Sequence, residues 1–187
     1  MREKELVLSR NCDDIWREIS EDFARDAPLQ YQTIIQDDEA SVLLDLDIDL
    51  GGGFESGYEL TTLSSKIRNK TNFRFAIHDQ DFIDEIGKFF GMQDATTGYP
   101  DFDEKLVVKT NNETEVMLLF KDAEVREVLQ DLKDFHFGIV SHTDDKGDSQ
   151  IYLELVVEEG ITDVTRLQLL HRTFVAVLKR IESLQLL

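Results

Sequence analysis

Nine residues of this chain look most like chemistry. Asp45-Leu46-Asp47-Ile48-Asp49-Leu50-Gly51-Gly52-Gly53 places three carboxylates at alternate positions ahead of three glycines. An EF-hand calcium loop begins with ligands at its first, third and fifth positions, but it also needs glycine at the sixth and a bidentate glutamate at the twelfth. Counted from Asp45, those two places hold Leu50 and Ser56. Val42, Leu44, Leu46, Ile48 and Leu50 alternate with Leu43, Asp45, Asp47 and Asp49, the period of a strand with one buried and one wet face. Side chains two apart on a strand stand about 6.6–7 Å from each other, too wide for one cation unless other ligands converge. The glycines lack the GxGxxG spacing and any Lys-Ser or Lys-Thr pair, so they read as a turn into the next strand and not as a phosphate cradle.

The histidines offer a second chemistry. His78 and Asp79 resemble a metal or acid–base pair, and His136 and His142 lie on one face of their segment, opposite Phe135, Phe137 and Ile139. A cleft built from His78, Asp79, His136 and His142 suits hydrolytic or metal-assisted chemistry, provided the four side chains come within hydrogen-bonding or metal-ligand reach. The simpler reading makes Asp79 or Asp81 the N-cap of a helix carrying Phe82 and Ile86, and the strand histidines ordinary surface residues. His171 borders an apolar stripe and reads as a packed boundary residue. Cys12 points the same way as Ile15 and Ile19, as a small core residue does. No catalytic residue, cofactor motif or metal-ligand set is assigned by these spacings.

These candidates must be positioned by elements that the pattern supplies in order. After Leu6-Val7-Leu8, Asn11 caps a helix whose Cys12, Ile15, Trp16, Ile19 and Phe23 share a face and which ends near Pro28. Strands over 30–36 and 41–50, joined by Asp37-Asp38-Glu39, form a hairpin. Further strands span 58–63 and 72–78, and then the period changes to a helical stripe, Phe82, Ile83, Ile86, Phe89 and Phe90, closed by Gly91. A loop over 96–100 follows. Leu106-Val107-Val108 opens the second half, where Asn111 or Asn112 caps a helical region broken at Lys121-Asp122 and ending near Lys133. Strands over 135–141 and 150–157 flank the turn Asp144-Asp145-Lys146-Gly147-Asp148. Thr162 or Asp163 caps a final helix with Leu167, Leu170, Phe174, Val177, Ile181 and Leu184 at spacings of three and four.

The fold class that follows is α+β: an antiparallel sheet with helices mainly on one face, in a single domain over 1–187. The order of elements also suggests an internal duplication, two strand–helix–strand–strand units with halves at 1–95 and 101–187.

Composition bounds the function. The 187 residues hold 39 acidic against 20 basic side chains, a formal charge of −19 and a pI near 4.4, which disfavours phosphate backbones and anionic lipid as partners. No apolar run approaches the roughly 18 residues of a membrane helix, and the N-terminal residues have no leader-like apolar core. One cysteine makes no internal disulfide. The expected setting is cytoplasmic.

Gly87-Lys88-Phe89-Phe90-Gly91, then Gly98-Tyr99-Pro100-Asp101-Phe102-Asp103 leading into Leu106-Val107-Val108, and later Val125-Arg126-Glu127-Val128-Leu129, resemble a group of uncharacterised bacterial soluble domains over about residues 85–135. The resemblance implies a bacterial source and one integrated domain, and it brings no activity or site. The leading functional reading is therefore a non-enzymatic domain that binds a protein or small ligand, with a homodimer through the last helix or a sheet edge as one form. An enzyme using the His/Asp cleft, and an acidic decoy or dock for a basic partner, are the alternatives.

Overall fold

The computed structural model describes residues 11–36, 40–52, 56–67, 72–79, 92–143 and 147–184. In chain order the elements are α1 (Cys12–Arg25), β1 (Gln30–Gln36), β2 (Ser41–Asp49), β3 (Tyr58–Lys66), β4 (Phe75–Asp79), β5 (Gln93–Ala95), α2 (Pro100–Lys105), β6 (Leu106–Thr110), α3 (Glu113–Leu119), α4 (Ala123–Gln130), β7 (Phe135–Thr143), β8 (Ser149–Val157) and α5 (Val164–Leu184). The strands form one eight-stranded sheet in the order β1-β2-β3-β8-β7-β4-β6-β5, and every pairing is antiparallel. The architecture is thus the α+β class read from the sequence.

One face of the sheet makes the core. Val42 and Leu44 of β2, Leu63 of β3, Leu153 and Leu155 of β8, Phe135 and Phe137 of β7, and Phe75 and Ile77 of β4 are all buried in one cluster with residues from each of the described helices. These are alternate residues on their strands, so the period of two directs them to the same side. An aromatic chain crosses this layer, Phe102 to Phe120 to Phe75 to Phe137 to Phe174, with ring centroids 5.6–5.9 Å apart. It ties α2 and the end of α3 to α5 through two strands. Trp16 of α1 meets His171 of α5 edge-on at 5.5 Å. His171 is buried, so the stripe on α5 is wider than spacings of three and four alone imply.

Caps fall where the polar residues invite them. Asn11, Asn112, Asp122 and Asp163 accept from backbone N–H groups of the first turns of α1, α3, α4 and α5, satisfying donors that have no intrahelical partner. Pro100 stands in the first turn of α2, where a missing N–H costs nothing. The sequence reading has only a loop there, because six helical residues show too little periodicity. Phe102 is nonetheless buried in the core.

Several expectations fall outside the described residues: the run 6–8, the turn 37–39, the helix over 82–91 with Asp81, and the tip 144–146. The opening run of the first proposed repeat is among those residues, and the hairpins β1-β2 and β7-β8 of the two repeats flank β3 on opposite sides. Leu50, which continues the buried alternation in the sequence, is 72% exposed because β2 ends at Asp49.

Candidate functional site

The face of the sheet opposite the helices carries the histidines. The described helices pack into the core on the other face. His78 of β4 and His136 of β7 are directly opposed across the β4–β7 ladder, and His142 lies six residues further along β7 on the same face. Asp79 is excluded by the pleat: it follows His78 and projects to the other side, where Oδ2 accepts the Asp134 backbone N–H at 2.6 Å. Asp134 has a left-handed φ of 47°, which this carboxylate helps to hold. The cleft of His78, Asp79, His136 and His142 is therefore a row of three imidazoles without its aspartate.

The residue that joins two of them is Glu154 of β8. Its Oε2 lies 3.1 Å from His142 Nε2, and its Oε1 lies 3.7 Å from His136 Nε2. The imidazoles of His136 and His142 hold the Glu154 carboxyl below the usual glutamate range, against burial that pushes it up. Glu154 stands opposite Gly138. A Cβ at Gly138 would lie 2.5 Å from the Phe75 carbonyl oxygen, so glycine lets β7 approach β4 and leaves the carboxylate room between the two rings. Tyr152 closes the group, its ring edge-on to His142 at 5.3 Å. Glu154 was findable from the sequence: centring the 144–148 turn sets it between His136 and His142, whereas scanning for histidines passes over it.

At His136 and His142 the geometry runs against general-base chemistry. In a serine-hydrolase triad the carboxylate holds Nδ1 and frees Nε2 for the nucleophile. Here the carboxylate faces Nε2 of both His136 and His142. His78 directs Nδ1 at the carbonyl oxygen of Asp79, 2.7 Å away, so that nitrogen carries the proton. Among the described residues, no group of three or more His, Cys, Asp or Glu side chains is arranged to hold a metal ion. Asp45 and Asp47 instead accept hydrogen bonds from Gln32, Gln30 and Tyr58 across the β1–β2–β3 ladders, at 2.9–3.2 Å. Asp49 accepts the N–H of Gly51, which has a left-handed φ of 68°. They are the wet side of a strand.

At the far side of the sheet, the described ladder between β2 and β3 stops at Leu43–Ser64. Beyond it the Ser65 hydroxyl donates to the Ser41 carbonyl at 2.8 Å. A groove of about 480 Å³ opens there, lined by Ile34, Leu43, Ser64 and Tyr152 of the sheet and by Leu178 and Glu182 of α5.

Ile34 belongs to β1, the edge strand. The Ile48 N–H donates to the Leu29 carbonyl at 2.7 Å, and hydrogen-bonded pairs alternate along an antiparallel ladder. Tyr31, Thr33 and Ile35 therefore bond to Leu46, Leu44 and Val42, while Gln30, Gln32, Ile34 and Gln36 turn their N–H and C=O groups away from β2. Those four residues are exposed. Sheet edges are commonly guarded by lysine, proline, a bulge or brevity. The opposite edge, β5, has three residues and an Asp94–Lys109 ion pair at 2.6 Å. The seven residues of β1, QYQTIIQ, hold no charge and no proline, and their register with β2 runs without interruption.

Comparison with protein-family models, curated proteins and solved structures finds no match for this chain.

Proposed function

We propose that this chain is a non-enzymatic binding domain that takes an extended polypeptide segment as an added strand along β1. The observation that carries the reading is an edge left unpaired among the described residues: the backbone donors and acceptors of four alternate residues of β1 face away from β2. Main-chain hydrogen bonds supply affinity in this mode, and pockets for alternate side chains supply selectivity. The groove that begins at Ile34 is such a pocket, and its volume is in the range of small ligand sites. The His/Glu/His row has less support as a catalytic centre because Glu154 occupies the imidazole nitrogens a base would use. The acidic residues stand both on α1, at Asp13, Asp14 and Glu21, and on the helix-free face of β2, a spread that favours solubility over a one-sided dock for a basic partner.

A seven-residue peptide of the β1 sequence with an uncharged tail tests the reading by amide hydrogen exchange. The expected result is slowed exchange at Gln30, Gln32, Ile34 and Gln36, lost when alternate amides of the peptide are N-methylated. Equal binding by the methylated peptide, or protection confined to another surface, would overturn it.

A further inference from the structure

We infer that the segment received by β1 is β1 of a second copy of this chain, paired antiparallel about a dyad at Thr33. The inference rests on the strand-acceptor reading above and adds the partner. Antiparallel self-pairing centred on Thr33 sets Gln32 against Ile34, Gln30 against Gln36 and Tyr31 against Ile35. All four outward-facing residues then become hydrogen-bonded pairs with their counterparts, a total of roughly eight main-chain hydrogen bonds. The two eight-stranded sheets become one continuous sheet. The faces agree as well: Gln30, Gln32, Ile34 and Gln36 of both copies project to the helix-free side, while Tyr31, Thr33 and Ile35 meet on the helical side.

Charge selects this occupant. With a formal charge of −19, most of the molecular surface repels a second copy. Ala27–Gln36 is the longest run in the chain without Asp, Glu, Lys or Arg, ten residues, and β1 lies within it. Of the two sheet edges among the described residues, the longer one is thus also a strand on which two copies meet without charged side chains of their own. The strand has no carboxylate of its own, and the neighbouring Asp45 and Asp47 are already engaged by Gln32 and Gln30; its amide and β-branched side chains match a strand of its own composition. Gln30 and Gln32 are already turned toward Asp47 and Asp45 of β2, which aligns their amides on the face where the partner's Gln36 and Ile34 arrive.

Sedimentation equilibrium at increasing salt, with amide exchange on the same samples, tests the inference. The intact chain is expected to dimerise, and more strongly as salt screens the two acidic bodies; capture of a basic peptide would weaken with salt. Exchange at Gln30, Gln32, Ile34 and Gln36 should slow as protein concentration rises. Gln32→Pro, which removes an outward N–H unused by β2, should raise the dissociation constant about tenfold or more, because the dyad counts each change twice. Ile34→Lys, which keeps every N–H and adds a charge, should do the same, with circular dichroism showing both variants folded. A monomer that still binds the β1 peptide would overturn the second-copy inference and leave the strand-acceptor reading standing. A monomer that binds no strand peptide, or a dimer that both variants leave intact, would overturn both.

Discussion

Two adjacent proline substitutions in β1 should behave oppositely, because adjacent residues of an edge strand face opposite neighbours. Thr33 bonds inward to Leu44, whose residue is 0% exposed. Thr33→Pro removes that N–H and leaves the Leu44 carbonyl unsatisfied, a loss of about 1–3 kcal/mol. The pyrrolidine ring also intrudes between β1 and β2, and overpacking of that kind costs about 1–3 kcal/mol more. The sum is about 2–6 kcal/mol. Gln32→Pro removes an N–H that points away from β2. It forfeits only the Gln32–Asp45 side-chain hydrogen bond at 3.1 Å on an exposed surface, about 0.5–1 kcal/mol. Restricting the unfolded chain returns about 0.4–1 kcal/mol, so the net change is expected within about 1 kcal/mol. Urea unfolding of both variants, at a concentration low enough to keep the chain monomeric, measures the difference. A domain of this size loses roughly 2–4 °C of melting temperature per kcal/mol, so thermal melts give an independent reading. Equal losses, or a larger loss for Gln32→Pro, would refute the ladder parity on which the free edge depends.

The remaining predictions concern the sheet faces. Glu154→Gln should cost about 1.5–3 kcal/mol at neutral pH, as expected for a partly buried, charge-assisted pair. Because the folded-state carboxyl lies below its ordinary value of 4.5, its contribution is complete above that value and is lost as pH falls through the lower folded value; urea titrations should show the variant and the parent converging only in that acid range. Gly138→Ala should destabilise by about 1–3 kcal/mol, since its Cβ meets the β4 backbone and not a movable side chain; a neutral effect in thermal denaturation would show that β4 and β7 are not so close. Leu44→Ala should cost about 2–5 kcal/mol, whereas Asp45→Asn should stay within about 0.5 kcal/mol, and millimolar calcium should leave the melting temperature of the parent unchanged. A calcium-dependent rise abolished by Asp45→Asn would restore the ion-binding reading of DLDIDLGGG.

Local pattern alone was enough for most strands, the caps and most inward faces, but it passed over the three residues of β5, too short to show alternation, and set Leu50 inward. Leu44 and Leu46 against Asp45 and Asp47, or Phe135 and Phe137 against His136, assign burial by a period of two that needs no knowledge of the partner strand. Asn112, Asp122 and Asp163 announce helix starts because each side chain competes for N–H groups only two or three residues away. What lay beyond local pattern was every relation between distant segments. That β1 stands at an edge while β3 sits between two hairpins follows from sheet order, which hydrophobic alternation does not encode. That His78 faces His136 and that Asp79 leaves the histidine row for the Asp134 backbone depends on which strands become neighbours and in which register. Side-chain periodicity is a property of a few consecutive residues, whereas the β4–β7 pairing and the Asp79–Asp134 contact exist only once some fifty or more residues of intervening chain have been folded back.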